Sequence, residues 1–120
     1  MKIQRFEDLR IWQESHRLTT EMYRLTSKFP KDETFGIISQ LRRCSSSVPA
    51  NIVEGYYRDT TKELIKFLFN ARGSAGEATY FLILSLELKY ITKEQYEILR
   101  SDYEKLLASI SALINKLRKK

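Results

Sequence analysis

Apolar side chains recur at every third or fourth position through most of the chain, which is the periodicity of an amphipathic α-helix. Short breaks separate four such segments, and we predict helices at about 7–28, 33–57, 61–89 and 93–117. Alternation at period two, the pattern of a half-buried strand, does not extend over a useful length. Because the connections are short, neighbouring helices must run antiparallel. The predicted fold is all-α, a single-domain antiparallel up-down-up-down four-helix bundle spanning residues 1–120.

Residues that stop or cap helices lie at the boundaries of these segments. Pro30 ends the first helix, because the residue before a proline avoids the α region. Asp32 is predicted to cap the second helix, with Phe35 as its first core residue and Gly55 at its exit. Pro49 lies inside this helix and predicts a kink, with the neighbouring serines bonding the carbonyls that it frees. Capping boxes open the third and fourth helices at Thr60 with Glu63 and at Thr92 with Gln95.

The first predicted helix carries two adjacent apolar stripes, whereas one bundle core needs a single broad stripe. One stripe runs through Trp12, His16 and Tyr23. The other is more apolar than a solvent-facing side requires, so we expect it to pack against another copy of the chain. The candidate residues of this oligomer interface are Ile11, Leu18, Met22 and Leu25.

The middle of the third predicted helix consists mostly of small residues, which is unusual for the interior of a helix. Gly73 and Gly76 each cost about 1 kcal/mol relative to alanine in a helix. Close contact with a bulky neighbour such as Trp12 or Tyr103 would offset that cost.

A single cysteine and a single histidine exclude most catalytic and metal sites. Cys44 alone can form neither an intramolecular disulfide nor a cysteine metal cluster, and we expect a buried, unreactive thiol. His16 has no glutamate three residues before it, which excludes the di-metal site of ferritin-like bundles. No nucleophile elbow accompanies His16, which we expect to be hydrogen-bonded in the core or at an interface. We therefore predict no enzyme activity, no metal and no cofactor.

No segment reaches the ~20 apolar residues that a membrane-spanning helix needs, so we expect no membrane association. The start of the chain turns acidic before the apolar region of a signal peptide could form. The cytoplasm is the expected compartment.

Lysine and arginine outnumber aspartate and glutamate by 21 to 15, which gives a net charge of +6 with an excess in both halves of the chain. This balance fits a polyanionic partner such as RNA or DNA. The competing interpretation is a solvated face whose charge serves solubility, with acidic neighbours such as Asp59 and Glu63. Basic and aromatic residues of the second and third helices are the candidate nucleic-acid contacts: Arg42, Arg43, Tyr56, Tyr57, Arg58, Lys62, Lys66 and Arg72.

Three segments together resemble a known family. They are F-E-D-L-R-I-W-Q near the start, S-Q-L-R-R-C-S-S-S-V-P-A-N-I-V-E-G-Y-Y-R in the middle, and K-E-L-I-K-F-L-F-N-A-R-G-S-A-G-E after it. They are similar to four-helix bundle proteins encoded in bacterial 23S rRNA intervening sequences. The resemblance implies a closed ring, typically a pentamer, and a fold similar to the accessory protein of diversity-generating retroelements, a basic pentamer that engages a reverse transcriptase and nucleic acid. It brings no established catalytic residue, and it marks a structural motif at Ser47, Pro49, Asn51, Glu54 and Gly55.

Two functions follow from these features. The leading hypothesis is a non-enzymatic, basic homo-oligomer, expected to be a pentamer, that binds RNA or DNA through the phosphate backbone. The alternative is a protein-interaction scaffold whose ring docks a partner protein while its charge serves solubility. An enzyme would need a composite site between subunits, for instance with His16 and Glu54.

Overall fold

The computed structural model describes residues 5–119. Four α-helices lie in this range, together with short 3-10 turns at Phe6–Asp8 and Lys31–Glu33, and the same range contains no strand. The helices are α1 (Arg10–Thr26), α2 (Ile37–Tyr56), α3 (Thr61–Glu87) and α4 (Lys93–Arg118). The predicted all-α four-helix bundle is therefore confirmed.

The first two helices begin later than predicted. Phe6–Asp8 forms a 3-10 turn, so α1 begins at Arg10 instead of residue 7. Asp32 belongs to the second 3-10 turn, and its assignment as the cap of α2 was wrong. Gly36 precedes α2, and the Glu33 carboxylate accepts a hydrogen bond from the Ile37 backbone N–H at 3.4 Å. Phe35 lies in this connection and is 96% exposed, so it does not join the core.

Both predicted capping residues accept a backbone hydrogen bond at their helix. Thr92 and Gln95 form the complete capping box at α4. The Thr60 hydroxyl oxygen accepts from the Glu63 N–H at 3.1 Å, but the Glu63 carboxylate bonds the Thr60 hydroxyl in place of the Thr60 backbone. These caps fix where α3 and α4 begin.

Helix α2 continues through Pro49 without a break. Proline has no N–H, so the carbonyl of Ser45, four residues earlier, loses its helical partner. The Thr19 hydroxyl of α1 lies 2.9 Å from this carbonyl and 2.9 Å from the Ser15 carbonyl of its own helix, so the two carbonyls share its one proton. The predicted rescue by neighbouring serines was wrong, because Ser45 and Ser46 donate to the carbonyls of Arg42 and Arg43. The donor comes from another helix, and the bond ties α1 to α2.

Gly55 lies one residue before the end of α2 at Tyr56, close to the predicted exit, but its φ is not positive, so it is not a left-handed cap. A β-carbon on Gly55 would stand 3.0 Å from Leu64 Cδ1 and 3.0 Å from Phe67 Cβ. This glycine therefore allows α2 and α3 to approach closely. Gly73 and Gly76 differ, since no atom lies within 4 Å of a β-carbon built on either one. The expected contact with Trp12 or Tyr103 was wrong.

The core lies between all four helices, and α1 and α4 are the most loosely packed neighbours. Helix α3 contributes the small and apolar positions predicted from its spacing. The bundle is elongated, with extents of 46 × 23 × 21 Å. None of the helices between residues 5 and 119 has the length and apolarity needed to cross a bilayer.

The burial of its residues contradicts most of the predicted oligomer interface on α1. Ile11, Leu18 and Met22 lie in the core of the single chain, so their side chains are not available to a second copy. Leu25 is half-buried beside the groove between α1 and α4. The stripe that contains Trp12 and Tyr23 is the more exposed of the two, since Trp12 is half-buried and Tyr23 is exposed.

Candidate nucleic-acid interface

Arg42 on α2 is held by contacts within the bundle. Its Nε donates to Thr26 Oγ1 at 2.8 Å and one Nη donates to the Tyr23 carbonyl at 3.3 Å. The guanidinium also lies 4.6 Å from the centre of the Tyr23 ring. Arg42 therefore joins α1 to α2 and is held in place by these contacts, with two of its five N–H donors in use.

Arg43 is exposed and borders a polar notch of about 290 Å³ between α2 and α3. Two residues of the structural motif lie at or beside this notch. The Asn51 side chain donates to Ser47 Oγ at 3.0 Å, and the Ser74 hydroxyl donates to the same oxygen at 2.9 Å. These bonds connect α2 to α3 and support a structural role for Ser47 and Asn51. Glu77 also lines the notch and opposes the charge of Arg43.

Arg58 lies beside acidic groups. One Nη is 2.8 Å from a Glu54 carboxylate oxygen, and the other is 4.0 Å from a Glu63 oxygen. The guanidinium lies 4.8 Å from the centre of the Phe67 ring. Lys62 is exposed on the first turn of α3, beside Glu63. The turn between α2 and α3 is therefore locally balanced in charge, as the competing interpretation expected.

Tyr56 and Tyr57 belong to an aromatic cluster at the end of α2. The Phe6 ring lies 5.2 Å from the Trp12 ring and 6.2 Å from the Tyr57 ring. Tyr57 is 69% exposed, whereas Tyr56 is half-buried. His16 is exposed and stacks on Trp12 with ring centres 4.8 Å apart, so its expected place in the core was wrong.

Arg72 on α3 and Arg118 on α4 meet at one aromatic ring. Their Cζ atoms lie 4.7 and 4.9 Å from the centre of the Phe69 ring. Arg72 also donates to the Ser111 hydroxyl of α4 at 3.2 Å. Among residues 5–119, no carboxylate oxygen lies within 4 Å of either guanidinium. These two arginines are therefore positioned by a ring and a serine instead of an acid.

The positive excess of the chain is concentrated in two segments. Residues 64–76 and 105–120 contain seven lysines and arginines and no aspartate or glutamate. The rest of the chain contains 14 basic and 15 acidic residues. The Arg72–Ser111 and Phe69–Arg118 contacts show that α3 and α4 bring these segments side by side. We use the name basic surface for the exposed or half-buried basic residues of these two segments, which in the described chain are Lys66, Arg72, Lys105, Lys116, Arg118 and Lys119. Of these, Arg72 and Arg118 meet at the contact between α3 and α4.

The structure thus divides the predicted contacts. It brings Lys66 and Arg72 into the basic surface and leaves Arg42 and Arg58 in contacts within the bundle. Phe69 and Arg118 were not among the nucleic-acid contacts predicted from the sequence. A count of acidic residues along the chain would have marked these segments, because each is long and free of carboxylates.

A groove of about 560 Å³ lies between α1 and α4. Leu25, Ile98 and Leu99 form its apolar part, and charged residues such as Arg17 and Asp102 line its margins. Ile98 is 58% exposed.

Cys44 is buried, and burial raises the pKa of its thiol to about 12. A thiol with this pKa is almost entirely protonated near neutral pH, so it is a poor nucleophile. No group of three His, Cys, Asp or Glu side chains suited to a metal ion occurs in the described part of the chain.

Comparison with known proteins gives a family and a similar structure. The model of the 23S rRNA-intervening sequence protein family matches residues 7–112. The chain is also similar to a crystal structure of a protein with unknown function from the S23 ribosomal protein family of Bacteroides thetaiotaomicron VPI-5482. The two share 25% sequence identity with a TM-score of 0.78, over 87% of this chain and 97% of that chain. No curated protein matches.

Proposed function

The chain belongs to the 23S rRNA-intervening sequence protein family, and from this premise we propose that it binds the phosphate backbone of RNA or DNA through its basic surface. It acts by binding and not by catalysis, in the cytoplasm, and as a homo-oligomer. The observation that carries the proposal is the concentration of the whole positive excess on adjacent parts of α3 and α4.

The electrostatics of this surface favour a polyanion. A lysine or arginine with an acidic neighbour loses much of its attraction for a distant anion, because the two fields cancel. Glu63 lies one turn before Lys66, and Asp102 lies one turn before Lys105, so these two lysines are partly offset. Arg72, Lys116, Arg118 and Lys119 have no acidic residue within four positions in the described chain, so their charges add. Binding to phosphates releases counterions and gives affinity with little sequence readout.

Charge reversal at matched positions tests the proposal. The triple variant Lys66→Glu, Lys116→Glu and Lys119→Glu removes the charge of the basic surface. The control reverses Lys28, Lys31 and Lys93, which are also exposed but lie outside it. Both variants have a net charge of zero, so a difference between them reports the location of the charge.

We expect the first variant to lose at least about tenfold in affinity for a single-stranded RNA relative to the control, measured by fluorescence anisotropy at one salt concentration. Equal losses in the two variants would mean that the basic surface is not the binding site.

The oligomeric part of the proposal has separate support. Phe35 is 96% exposed and Ile98 is 58% exposed at the end of the bundle where α1 ends and α4 begins. Leu88, 44% exposed, lies at the same end. Apolar side chains exposed singly are ordinary, whereas several at one end of a bundle form the kind of patch that marks interfaces between proteins. Native mass spectrometry with and without nuclease should give about five times the 14.2 kDa of one chain, following the resemblance to pentameric proteins. A mass of one chain under both conditions would refute it.

The groove between α1 and α4 supports the scaffold alternative. An apolar floor with charged margins is typical of a surface that receives a partner protein. A partner that co-purifies after nuclease treatment and is lost in Ile98→Lys would favour this function over nucleic-acid binding.

A further inference from the structure

Phe69 positions two like-charged groups that have no acidic partner among residues 5–119. Arg72 and Arg118 come from different helices, yet both guanidiniums lie within 5 Å of the centre of the same ring. Their Cζ atoms are therefore no more than about 10 Å apart. Two cations at this distance repel each other, and an anion bound beside the edge of the ring, within reach of both, would offset the repulsion.

The ring leaves the donors of both arginines available. An arginine that stacks on an aromatic ring uses its π face, while its N–H groups point outward in the guanidinium plane. Arg72 uses one Nη on Ser111, and this bond also limits the motion of its side chain. The remaining N–H groups have the fork geometry that matches the oxygens of a phosphate.

The neighbouring lysine extends the same site. Lys66 is exposed and lies three residues before Phe69, so the two side chains are neighbours on α3. A nucleic-acid strand bound at Phe69 would therefore also contact the Lys66 ammonium group. Lys119 follows Arg118 directly, one residue after the end of α4.

We propose that Arg72, Phe69 and Arg118 form a phosphate clamp, in which the two guanidiniums reach past the edge of the Phe69 ring and bind one phosphodiester group of a nucleic-acid strand. The clamp rests on the proposed function and gives it a specific binding group. The same chemistry would accept free inorganic phosphate, and the experiment below separates the two sources.

Arginine-to-lysine variants test the clamp, because lysine keeps the charge but lacks the planar fork. We expect Arg72→Lys and Arg118→Lys each to weaken binding of a single-stranded RNA by about tenfold. Arg100→Lys is the control on α4, where the guanidinium bonds Glu104 and the Tyr96 hydroxyl, and it should bind as the wild type does. Because both arginines hold one phosphate, the double variant should lose less than the product of the single losses.

Phe69→Leu adds a test of the ring. It keeps an apolar side chain but removes the stacking surface, and we expect a loss similar to that of Arg72→Lys. Circular dichroism and urea unfolding establish that each variant is folded. Arg118 lies at the exposed end of α4, so its substitution should leave the core intact.

Other results would overturn the clamp. Wild-type affinity in both lysine variants would mean that only the charge at positions 72 and 118 contributes to binding. In that case, a loss of affinity in the variant with Lys66, Lys116 and Lys119 reversed would still support the proposed function. Displacement of RNA by low-millimolar inorganic phosphate, at ionic strength held constant with chloride, would identify free phosphate as the ligand and not a strand. Absence of RNA binding in the wild type at low salt would remove both proposals together.

Discussion

At the scale of single residues, Thr19 compensates for the proline inside α2. Its hydroxyl donates to the Ser45 carbonyl, which has no helical donor because Pro49 lacks an N–H. A buried carbonyl without a partner is costly, so this bond stabilises both the helix and its contact with α1. The sequence identifies Pro49 as a problem, but the donor from α1 becomes visible only when the helices are packed.

Replacing Thr19 with valine should therefore destabilise the fold. We expect Thr19→Val to lower the free energy of unfolding by about 1 kcal/mol in urea titrations. In a Pro49→Ala background the loss should be smaller, because that change restores the N–H that bonds the Ser45 carbonyl. Equal losses in the two backgrounds would contradict the coupling between Thr19 and Pro49.

Tyr103, in contrast, is a buried residue whose polar group has no partner in the described chain. Its side chain is 1% exposed, and its hydroxyl has no hydrogen-bond partner in the described chain. Burial raises the pKa of this phenol, so it stays neutral. A buried hydroxyl without a partner costs about 1–3 kcal/mol.

Tyr103→Phe should consequently raise the free energy of unfolding, by about 1 kcal/mol. The matched control is Tyr90→Phe, which removes a hydroxyl that donates to Glu33 at 2.6 Å and should be destabilising. A lower stability for Tyr103→Phe than for the wild type would show that its hydroxyl is satisfied.

At the scale of the helices, the spacing of apolar residues predicted which sides face the core in α3 and α4. Leu68, Ala75 and Leu82 are buried as the pattern required, as is Tyr103 on α4. Periodicity was less decisive for α1, where two stripes lie next to each other and both read as apolar. Only packing against α2 shows that the stripe of Ile11, Leu18 and Met22 is the core one.

The connection between α1 and α2 shows a different limit. The pattern extended α2 back to residue 33, with Phe35 in its apolar line. A 3-10 turn at Lys31–Glu33 and a further turn delay the helix to Ile37. Local turn chemistry therefore outweighed the apolar pattern there, and Phe35 was left on the surface.

The glycines of α2 and α3 give a prediction at this scale. Gly73→Ala should stabilise the fold by about 1 kcal/mol, because alanine favours the helix and its β-carbon meets no atom within 4 Å. Gly55→Ala should destabilise it by about 1–3 kcal/mol, because the new methyl would press on Phe67 Cβ. Thermal and urea unfolding measure both effects. A gain in both variants would mean that α2 and α3 are not tightly packed at Gly55.

At the scale of the whole molecule, the fold brings together basic residues that are far apart in the sequence. Dividing the chain into halves gives a positive excess in each, which suggests an even distribution. The acid-free segments lie more than 25 residues apart in sequence. The antiparallel arrangement of α3 and α4 places them together, as the bond between Arg72 and Ser111 records. A binding site made by two helices in this way cannot be assigned from either helix alone.

The dependence of RNA affinity on salt tests the central claim most directly. If the basic surface binds phosphates, the logarithm of the association constant for a single-stranded RNA should fall linearly with the logarithm of salt concentration. The slope should be roughly −0.7 for each phosphate neutralised. It should become shallower when Lys66, Lys116 and Lys119 are reversed to glutamate. Binding that does not change with salt, or a slope that the reversal leaves unaltered, would contradict the assignment of this surface to nucleic acid.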